Sequence, residues 1–169
     1  IELESQSISG LSQFINADFE RAVSEIANLS GRLVISGIGK SAVIAQKIVA
    51  TFNSTGTPSI FMHAADAIHG DLGIVQQNDI VMIISKSGES PEIKVLVPLI
   101  RNFKNILIGM IGNVDSYLAK QSDIVLNTTV EQEACPNNLA PTSSTTAQLV
   151  MGDALAICLM ELKGFNSDD

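Results

Sequence analysis

Five short apolar runs recur along the chain, and a segment with the periodicity or capping signals of a helix separates each run from the next. The runs are RLVIS (32–36), SIFMH (59–63), DIVMIIS (79–85), NILIGMIG (105–112) and DIVLNTT (123–129). They are nearly continuous rather than alternating with polar residues, which is typical of strands covered on both faces. The sequence therefore predicts an α/β fold of three layers, in which helices flank a doubly wound, five-stranded parallel sheet.

The length of 169 residues suits one domain with a full-sized core, and no linker or shift in composition divides the chain. We therefore expect residues 1–169 to form a single domain. Apolar residues recur at helical spacing between residues 2 and 29, which predicts an N-terminal helix, long or broken, that packs on this domain.

The charge and hydropathy of the chain exclude some classes of partner. The formal net charge is −8, and the 10 Lys and Arg residues form no cluster. Because nucleic acids are bound through clustered basic residues, we expect no nucleic-acid partner. No apolar run approaches the ~18 residues of a transmembrane helix, and the polar start IELESQSISG is unlike a signal peptide. We expect no membrane association and a cytoplasmic location.

A glycine-rich turn follows the first predicted strand, in VISGIGKSAVIAQK (34–47). Backbone N–H groups at the N-terminus of the helix after such a turn favour an anion. A nucleotide P-loop requires a glycine five residues before Gly39, but Val34 stands there, so the loop is too short. A dinucleotide fingerprint fits Gly37, Gly39 and Ala42, although the second strand does not end in the acidic residue that this motif requires. The third interpretation is a sugar phosphate.

A second loop, ISKSGESPE (84–92), favours the sugar phosphate. It places three hydroxyl groups around Gly88, directly before a helix that begins at Pro91. The hydroxyls belong to Ser85, Ser87 and Ser90. Together with free backbone N–H groups they can surround one phosphate dianion, and the helix dipole adds roughly 0.3–1 kcal/mol of attraction. Serines here are equally typical of turns and of an N-cap, which are compatible with phosphate binding.

A third hydroxyl cluster, APTSSTTAQL (140–149), precedes the last predicted helix and contains Thr145. Taken alone, it is equally typical of a polar loop with an N-cap. We count Thr145 and Gly39 as further candidates for contacts with a bound sugar.

Candidates for acid–base chemistry lie near the same predicted strand ends. His69 stands in AIHGDLG, where flanking glycines allow a ligand to approach the backbone, whereas His63 at the end of a strand is expected to be structural. Glu92 lies in the first turn of the helix after the serine loop, a placement that the helix dipole also favours. Glu131 and Glu133 follow the last strand, at the edge where open α/β sheets bind ligands.

The chain as a whole resembles the sugar isomerase (SIS) domain, and more closely the D-arabinose 5-phosphate isomerases of the KpsF/GutQ family. The resemblance runs from residue 33 to 164, in the family's order and spacing. Three stretches carry it: GIGKSAVIAQKIVATFNSTGTPSIFMHAADAIHGDLG (37–73), SKSGESPEI (85–93) and EACPNNLAPTSSTTAQLVMGDALA (133–156). The strings HGDLG, SGES and APTSSTT in one chain are far more specific than a single glycine motif.

The resemblance implies an aldose–ketose isomerase that interconverts D-ribulose 5-phosphate and D-arabinose 5-phosphate, for biosynthesis of the Kdo of lipopolysaccharide or capsule. Ser41, Ser85, Ser87 and Ser90 would hold the phosphate, and Lys40 would lie over the sugar oxygens. Glu92, Glu133 and His69 match the family's active-site positions. The reaction would pass through an enediol, with one base and one acid and with donors for the developing oxyanion. No metal or redox cofactor is required, and both His69 and Glu133 are candidates for the base.

The resemblance also implies partners and departures. We expect a homodimer or homotetramer with active sites near the subunit interfaces, a phosphorylated pentose as substrate, and an activated Kdo nucleotide as a feedback ligand of the site.

The family often has Asn where this chain has Lys86. Its members continue into an HPGG segment and paired CBS domains, whereas this sequence stops at GFNSDD, so we expect an isolated catalytic domain. The alternative is a non-catalytic SIS domain that senses a sugar phosphate.

Overall fold

Each apolar run of the sequence forms a strand in the computed structural model, which describes residues 1–165. The strands are β1 (Leu33–Gly37), β2 (Ser59–His63), β3 (Ile80–Ser85), β4 (Leu107–Ile111) and β5 (Ile124–Asn127). They form one sheet in the order β2-β1-β3-β4-β5, and every neighbouring pair is parallel. The prediction of a five-stranded parallel sheet is confirmed.

The helices alternate with these strands. Within residues 1–165 the α-helices are α1 (Glu2–Gly10), α2 (Ala17–Ala27), α3 (Lys40–Ser54), α4 (Ala64–Ala67), α5 (Pro91–Phe103), α6 (Tyr117–Gln121) and α7 (Ser143–Lys163). The helix α5 begins at Pro91 because Ser90 caps it: the Ser90 hydroxyl accepts from the backbone N–H of Ile93 at 3.4 Å.

Two apolar layers, one on each face of the sheet, form the core. On one face α3 and α7 pack together with α1 and α2, over side chains such as Ile35, Met82 and Leu155. On the other face α4, α5 and α6 pack over side chains such as Val34 and Ile83. Successive residues of β1 and β3 point to opposite layers, so both faces of each strand are buried and the architecture has three layers.

The order of the strands creates one special position on the sheet. The chain passes from β1 to β2 at one edge and then returns to β3 on the other side of β1. Connections from neighbouring strands therefore leave in opposite directions beyond the carboxyl ends of β1 and β3. In open α/β sheets this switch point is where ligands bind.

The N-terminal segment is the broken form of the predicted helix. A 3-10 turn over Leu11–Phe14 separates α1 from α2. The break follows from Asn16, whose side chain accepts from the N–H groups of Asp18 and Phe19 at 3.0 and 3.2 Å and so starts a new helix. Both helices pack against α7. The assignment of one domain through residue 169 stays a prediction, because residues 166–169 lie outside the described part of the chain.

The sequence analysis predicted no membrane span, but the last helix, α7, has the length and apolar composition of one. Its 21 residues include a window of mean hydropathy 1.3, enough by length and composition to cross a membrane. Buried helices in protein cores have the same composition, and 39% of this window is buried. Met151, Leu155 and Leu159 lie in the core, and Lys47 of α3 forms an ion pair with Asp153 on α7 at 2.6 Å. We therefore attribute the apolar character of α7 to packing against α1, α2 and α3.

Candidate active site

A pocket of about 320 Å³ lies at the switch point, beyond the carboxyl ends of β1 and β3. It is lined by Ile38, Lys40, Ser41, Ser85, Lys86, Ser87, Ser90, Pro141, Ser144 and Thr145. Three segments distant in sequence contribute: the start of α3, the loop from β3 to α5, and the start of α7. The N-termini of three helices, each carrying partial positive charge, therefore border one pocket, which favours a bound anion.

The loop from β3 to α5 presents its hydroxyl groups as donors. Each serine oxygen accepts a backbone N–H: Ser85 from Gly88 at 2.9 Å, Ser87 from Glu89 at 3.3 Å, and Ser90 from Ile93 at 3.4 Å. Because a hydroxyl has one donor besides its acceptor lone pairs, each O–H proton is left to point at a ligand. The turn and cap roles predicted for these serines are thus present, and they orient the hydroxyls toward donation.

The backbone of this loop is fixed by close packing at Gly88. Its φ of 64° is in the left-handed region that favours glycine. A Cβ atom at this position would overlap the hydroxyl of Ser116, and the Gly88 carbonyl accepts from Leu118 N–H at 3.1 Å. The loop therefore rests on the start of α6, which fixes where the serine hydroxyls lie.

The opposite wall is the start of α3. Gly39 has a φ of 58° and precedes the first residue of the helix, Lys40. Lys40 is exposed, Ser41 is half-buried, and both line the pocket. The first N–H groups of a helix have no partner inside it, so α3 contributes free backbone donors beside the Ser41 hydroxyl.

Glu133 connects the start of α7 to the loop between β3 and α5. Although it lies in the loop between β5 and α7, it is only 2% exposed. Its carboxylate accepts from Thr142 N–H at 2.8 Å, from Ser144 N–H at 3.1 Å and from the Ser144 hydroxyl at 2.5 Å. Lys86 approaches the other side, with Nζ 2.6 Å from Oε1. Glu133 thus acts as a distant cap for α7 and as the partner of a pocket lysine.

These contacts determine the charge of Glu133. Burial raises the pKa of the Glu133 carboxyl, but the hydrogen bonds from Lys86, the Ser144 hydroxyl and the N–H groups of Thr142 and Ser144 outweigh it and lower the pKa to about 2. The carboxylate is therefore ionised at neutral pH. Each of its oxygens already accepts hydrogen bonds, so in this arrangement it lacks the free lone pair of a poised base.

The remaining predicted site residues lie outside this lining. His69 is exposed, in the turn after α4 beyond the carboxyl end of β2. Glu92 is half-buried in the first turn of α5, two residues beyond Ser90. Gly39 lies next to the lining residue Lys40. Glu131 lies beside α1, in a separate cleft with Gln6 and Gln13.

Six predicted residues therefore lie in one pocket: Lys40, Ser41, Ser85, Ser87, Ser90 and Thr145. The sequence analysis did not single out Ser144, and it took Lys86 for a departure without consequence. The alternation of β3 does contain a signal for Lys86, since it puts consecutive side chains on opposite faces. Lys86 and Glu133 are separated by 46 residues, so no local pattern in the sequence indicates their ion pair.

Two other features of the described residues bear on the choice of site. Between residues 1 and 165, no group of three or more His, Cys, Asp or Glu side chains is placed to hold a metal ion. A larger groove of about 670 Å³ lies between α2 and the end of α7, and its lining includes Phe19, Val23 and Leu162. That groove is mainly apolar, and the first turn of α2 beside it carries Glu20, so it is not suited to an anion.

Known proteins match this chain in sequence and in fold. A family model described as SIS domain matches residues 25–158. Arabinose 5-phosphate isomerase KdsD of Yersinia pestis is 50% identical over 169 residues, covering 100% of this chain and 52% of the relative. The protein of that name from Escherichia coli K12 is 46% identical, again over 100% of this chain and 52% of the relative. The chain thus spans about half the length of these curated relatives.

A solved structure matches over nearly the whole chain. The protein c3406 of E. coli CFT073, in complex with arabinose 5-phosphate, superposes with a TM-score of 0.96 and 39% sequence identity. The match covers 99% of this chain and 89% of that chain.

Proposed function

The chain belongs to the SIS domain family, and we propose that it is an aldose–ketose isomerase that interconverts D-ribulose 5-phosphate and D-arabinose 5-phosphate. The observation that carries the proposal is the pocket at the switch point, where serine hydroxyls and three helix N-termini converge. The 50% identity with an arabinose 5-phosphate isomerase supports this choice of substrate. So does the 39% identity with a protein whose structure contains arabinose 5-phosphate.

In the proposed reaction the phosphate binds first to the serine loop. Ser41, Ser85, Ser87 and Ser90 donate to its oxygens, and the α5 dipole adds attraction. This anchors one end of the open-chain sugar and directs the carbonyl end toward the wall formed by Lys40 and the start of α7. Fixing the substrate in this way lowers the entropic part of the barrier.

The chemical step moves one proton between neighbouring carbons. A base removes the proton beside the carbonyl, the electron pair forms the C1–C2 double bond, and the carbonyl oxygen takes up negative charge. Lys40 donates toward that oxygen, which then takes up the proton of the C1 hydroxyl. An acid protonates C2, and the electron pair left on the C1 oxygen forms the new carbonyl. For the base, the saturated hydrogen bonding of Glu133 favours His69 of the two candidates, while Glu92 stands beside the phosphate loop as the candidate acid.

His69 requires an explanation, because it is exposed and lies outside the pocket lining. We expect a homodimer or homotetramer with sites near the subunit interfaces, in which His69 serves the pocket of a neighbouring copy. Light scattering tests the assembly. A mixture of His69→Ala and Ser41→Ala/Ser87→Ala, assayed at a substrate concentration at which neither variant alone turns over, tests the sharing: activity returns on mixing if the residues act across an interface. Activity that never returns, or a monomer, contradicts the assembly without touching the pocket assignment.

The alternative is a sugar-phosphate sensor without turnover. One observation favours it: neither base candidate is poised in the single chain, since Glu133 is fully hydrogen-bonded and His69 is exposed. A sensor needs the serine loop but does not need Lys40 or His69. Binding of D-arabinose 5-phosphate without interconversion by the assembled protein would select the sensor over the enzyme.

Further parts of the proposal concern the setting of the reaction. The product would supply Kdo biosynthesis for lipopolysaccharide or capsule, in the cytoplasm. An activated Kdo nucleotide carries a phosphate and a sugar acid, so we expect it to compete for the same pocket. Competition that the Ser41→Ala/Ser87→Ala variant abolishes would support this feedback role.

The test of the proposed function is a turnover assay with several ketose phosphates. We expect D-arabinose 5-phosphate to form from D-ribulose 5-phosphate, and hexulose 6-phosphates to react much more slowly. The matched variants are His69→Ala and Glu133→Gln, compared with Glu131→Gln, which lies in a separate cleft. If no aldose phosphate forms from any ketose phosphate, the assignment as an isomerase is wrong.

A further inference from the structure

Lys86 is the pocket residue whose chemistry the assigned roles leave unexplained. Its ammonium lies 2.6 Å from Glu133 Oε1, yet its side chain is 48% exposed while that of Glu133 is 0% exposed. An ammonium has three N–H donors, and the ion pair occupies one of them. The remaining donors face the pocket that Lys86 lines.

Because side chains alternate along β3 and just beyond it, those of Ser85 and Lys86 point to different sides of the pocket. Ser85 continues the side of β3 that packs on α5, together with Ile83. Lys86, the next residue, turns to the side of α7, where it meets Glu133, and Glu133 in turn bonds Ser144. The Lys86 ammonium therefore points toward α7, away from the side of β3 on which Ser85 lies, so a phosphate held by the hydroxyls of the β3–α5 loop leaves Lys86 for the other end of the sugar.

Close packing fixes the backbone from which the lysine side chain starts. Gly112 lies directly beneath it: a Cβ atom there would be 2.9 Å from the Lys86 carbonyl oxygen and 3.3 Å from its Cα and Cγ. The Gly112 N–H also donates to the Ser85 carbonyl at 3.1 Å. With its stem packed on Gly112 and its end held by Glu133, the ammonium is preorganised rather than free to search for a partner.

We propose that Lys86 is a second catalytic lysine, which together with Lys40 donates to the oxygen carrying negative charge in the enediolate, and that Glu133 positions it there. This inference rests on the proposed isomerase function. As the proton beside the carbonyl passes to the base, the electron pair moves into the new carbon–carbon double bond and charge develops on the oxygen. The fixed ammonium stabilises that charge until the oxygen takes up the proton of the neighbouring hydroxyl. The carbon of the former carbonyl is then protonated, and the oxygen that lost its proton forms the new carbonyl.

A purely structural lysine would neutralise Glu133 and nothing more. The two roles differ in which ligand loses affinity when the ammonium is removed. A tetronohydroxamate 4-phosphate mimics the enediolate, whereas D-arabinitol 5-phosphate has the same phosphate and hydroxyls but no developing negative charge. A stabilising cation discriminates between these two ligands, and a structural one does not.

The experiment measures the dissociation constants of both ligands by calorimetry for wild type, Lys86→Met, Lys86→Arg and Lys94→Met. Lys94 is the matched control, because it pairs with Glu89 at 2.7 Å and is 49% exposed but does not line the pocket. We expect Lys86→Met to lose about 10- to 100-fold affinity for the hydroxamate, the range of one hydrogen bond to a charged group. Its affinity for the alditol phosphate should change less than about twofold, Lys86→Arg should recover most of the loss, and Lys94→Met should match wild type.

Lys86→Met leaves the Glu133 charge buried and unpaired, which endangers folding. The double variant Lys86→Met/Glu133→Gln removes both charges and should show the same loss for the hydroxamate. If either folded variant keeps the wild-type preference for the hydroxamate, the assignment of Lys86 is overturned. If wild type shows the preference but turns over no pentose phosphate, the isomerase proposal fails while the Lys86 contact stands. If wild type binds neither ligand, both fail.

Discussion

The two ends of the parallel sheet each contain a buried carboxylate paired with a basic side chain, but the two pairs have different surroundings. At the carboxyl end, Glu133 is 2% exposed and meets Lys86 at 2.6 Å. At the amino end, Asp79 is 3% exposed and meets Arg32 at 2.8 Å. In both carboxyls burial raises the pKa, and hydrogen bonds from the basic partner and the backbone lower it further than burial raises it.

What differs is where the remaining bonds go. Asp79 accepts from the backbone N–H groups of Arg32 and Gln76, and Arg32 donates to the Ile74 carbonyl. The remaining hydrogen bonds of this pair therefore go to the main chain. Lys86 instead lines a pocket that has five serines in its wall. A shifted pKa is therefore common to both ends, and converging unused donors at the switch point are what identify the site.

The largest expected effect is on substrate affinity at the carboxyl end. Ser41→Ala/Ser87→Ala removes one donor from each side of the pocket, so we expect KM for the pentose phosphate to rise about 100- to 10,000-fold, at roughly 1.5–3 kcal/mol per hydrogen bond to a charged group. Steady-state kinetics measures it. Ser30→Ala, at a cleft beside Asp79, is the control and should leave KM unchanged. If Ser30→Ala raised KM as much as Ser41→Ala/Ser87→Ala, the assignment of substrate binding to the carboxyl end would be wrong.

At the amino end we expect a loss of stability without a loss of function. Arg32→Met leaves the Asp79 carboxylate buried without its cation, which should lower the free energy of unfolding by about 3 kcal/mol. Urea unfolding measures this. The value of kcat/KM per folded molecule should stay within about twofold of wild type, since no pocket residue is touched. A large fall in kcat/KM would mean that the two ends are coupled.

Acid pH should distinguish the wild type from Glu133→Gln. The folded pKa of about 2 lies below the ordinary 4.5, so ionised Glu133 contributes stability above pH 4.5 that is lost as the pH falls toward 2. A shift of this size corresponds to about 3 kcal/mol. In unfolding experiments the stability difference between wild type and Glu133→Gln should be full at neutral pH and shrink below pH 4.5. A difference independent of pH would contradict the hydrogen-bonded carboxylate.

The smallest effect concerns two helix caps near the carboxyl end. Ser90 caps α5 inside the pocket and Ser116 caps α6 outside it. Replacing either with Ala should cost about 1 kcal/mol of stability in thermal or urea unfolding. Only Ser90→Ala should also raise KM, because only its O–H faces the phosphate site. If Ser116→Ala raised KM equally, the serine loop would act through its shape and not through its donors.

Much of the fold was predictable because local signals agree with it. The apolar runs became the five strands, and α5 spans Pro91–Phe103 as predicted, since Ser90 and Pro91 mark its start. The placement of both serine-bearing loops at one edge follows from parallel strands alone. Three features depend on tertiary structure: the strand order that creates the switch point, the Lys86–Glu133 pair, and the exposed position of His69. The apolar periodicity left open whether the N-terminal helix is long or broken, and the capping residue Asn16 is the local signal for the break before α2.

The central claim, that the pocket at the carboxyl end isomerises a pentose 5-phosphate through an enediolate, is tested most directly by turnover in D₂O. Wild-type protein with D-ribulose 5-phosphate should form D-arabinose 5-phosphate that carries deuterium at C2, detected by NMR. Arg32→Met should do the same per folded molecule, and Ser41→Ala/Ser87→Ala should do so only at much higher substrate concentration. Absence of both the aldose phosphate and any deuterium exchange into the sugar would contradict the account.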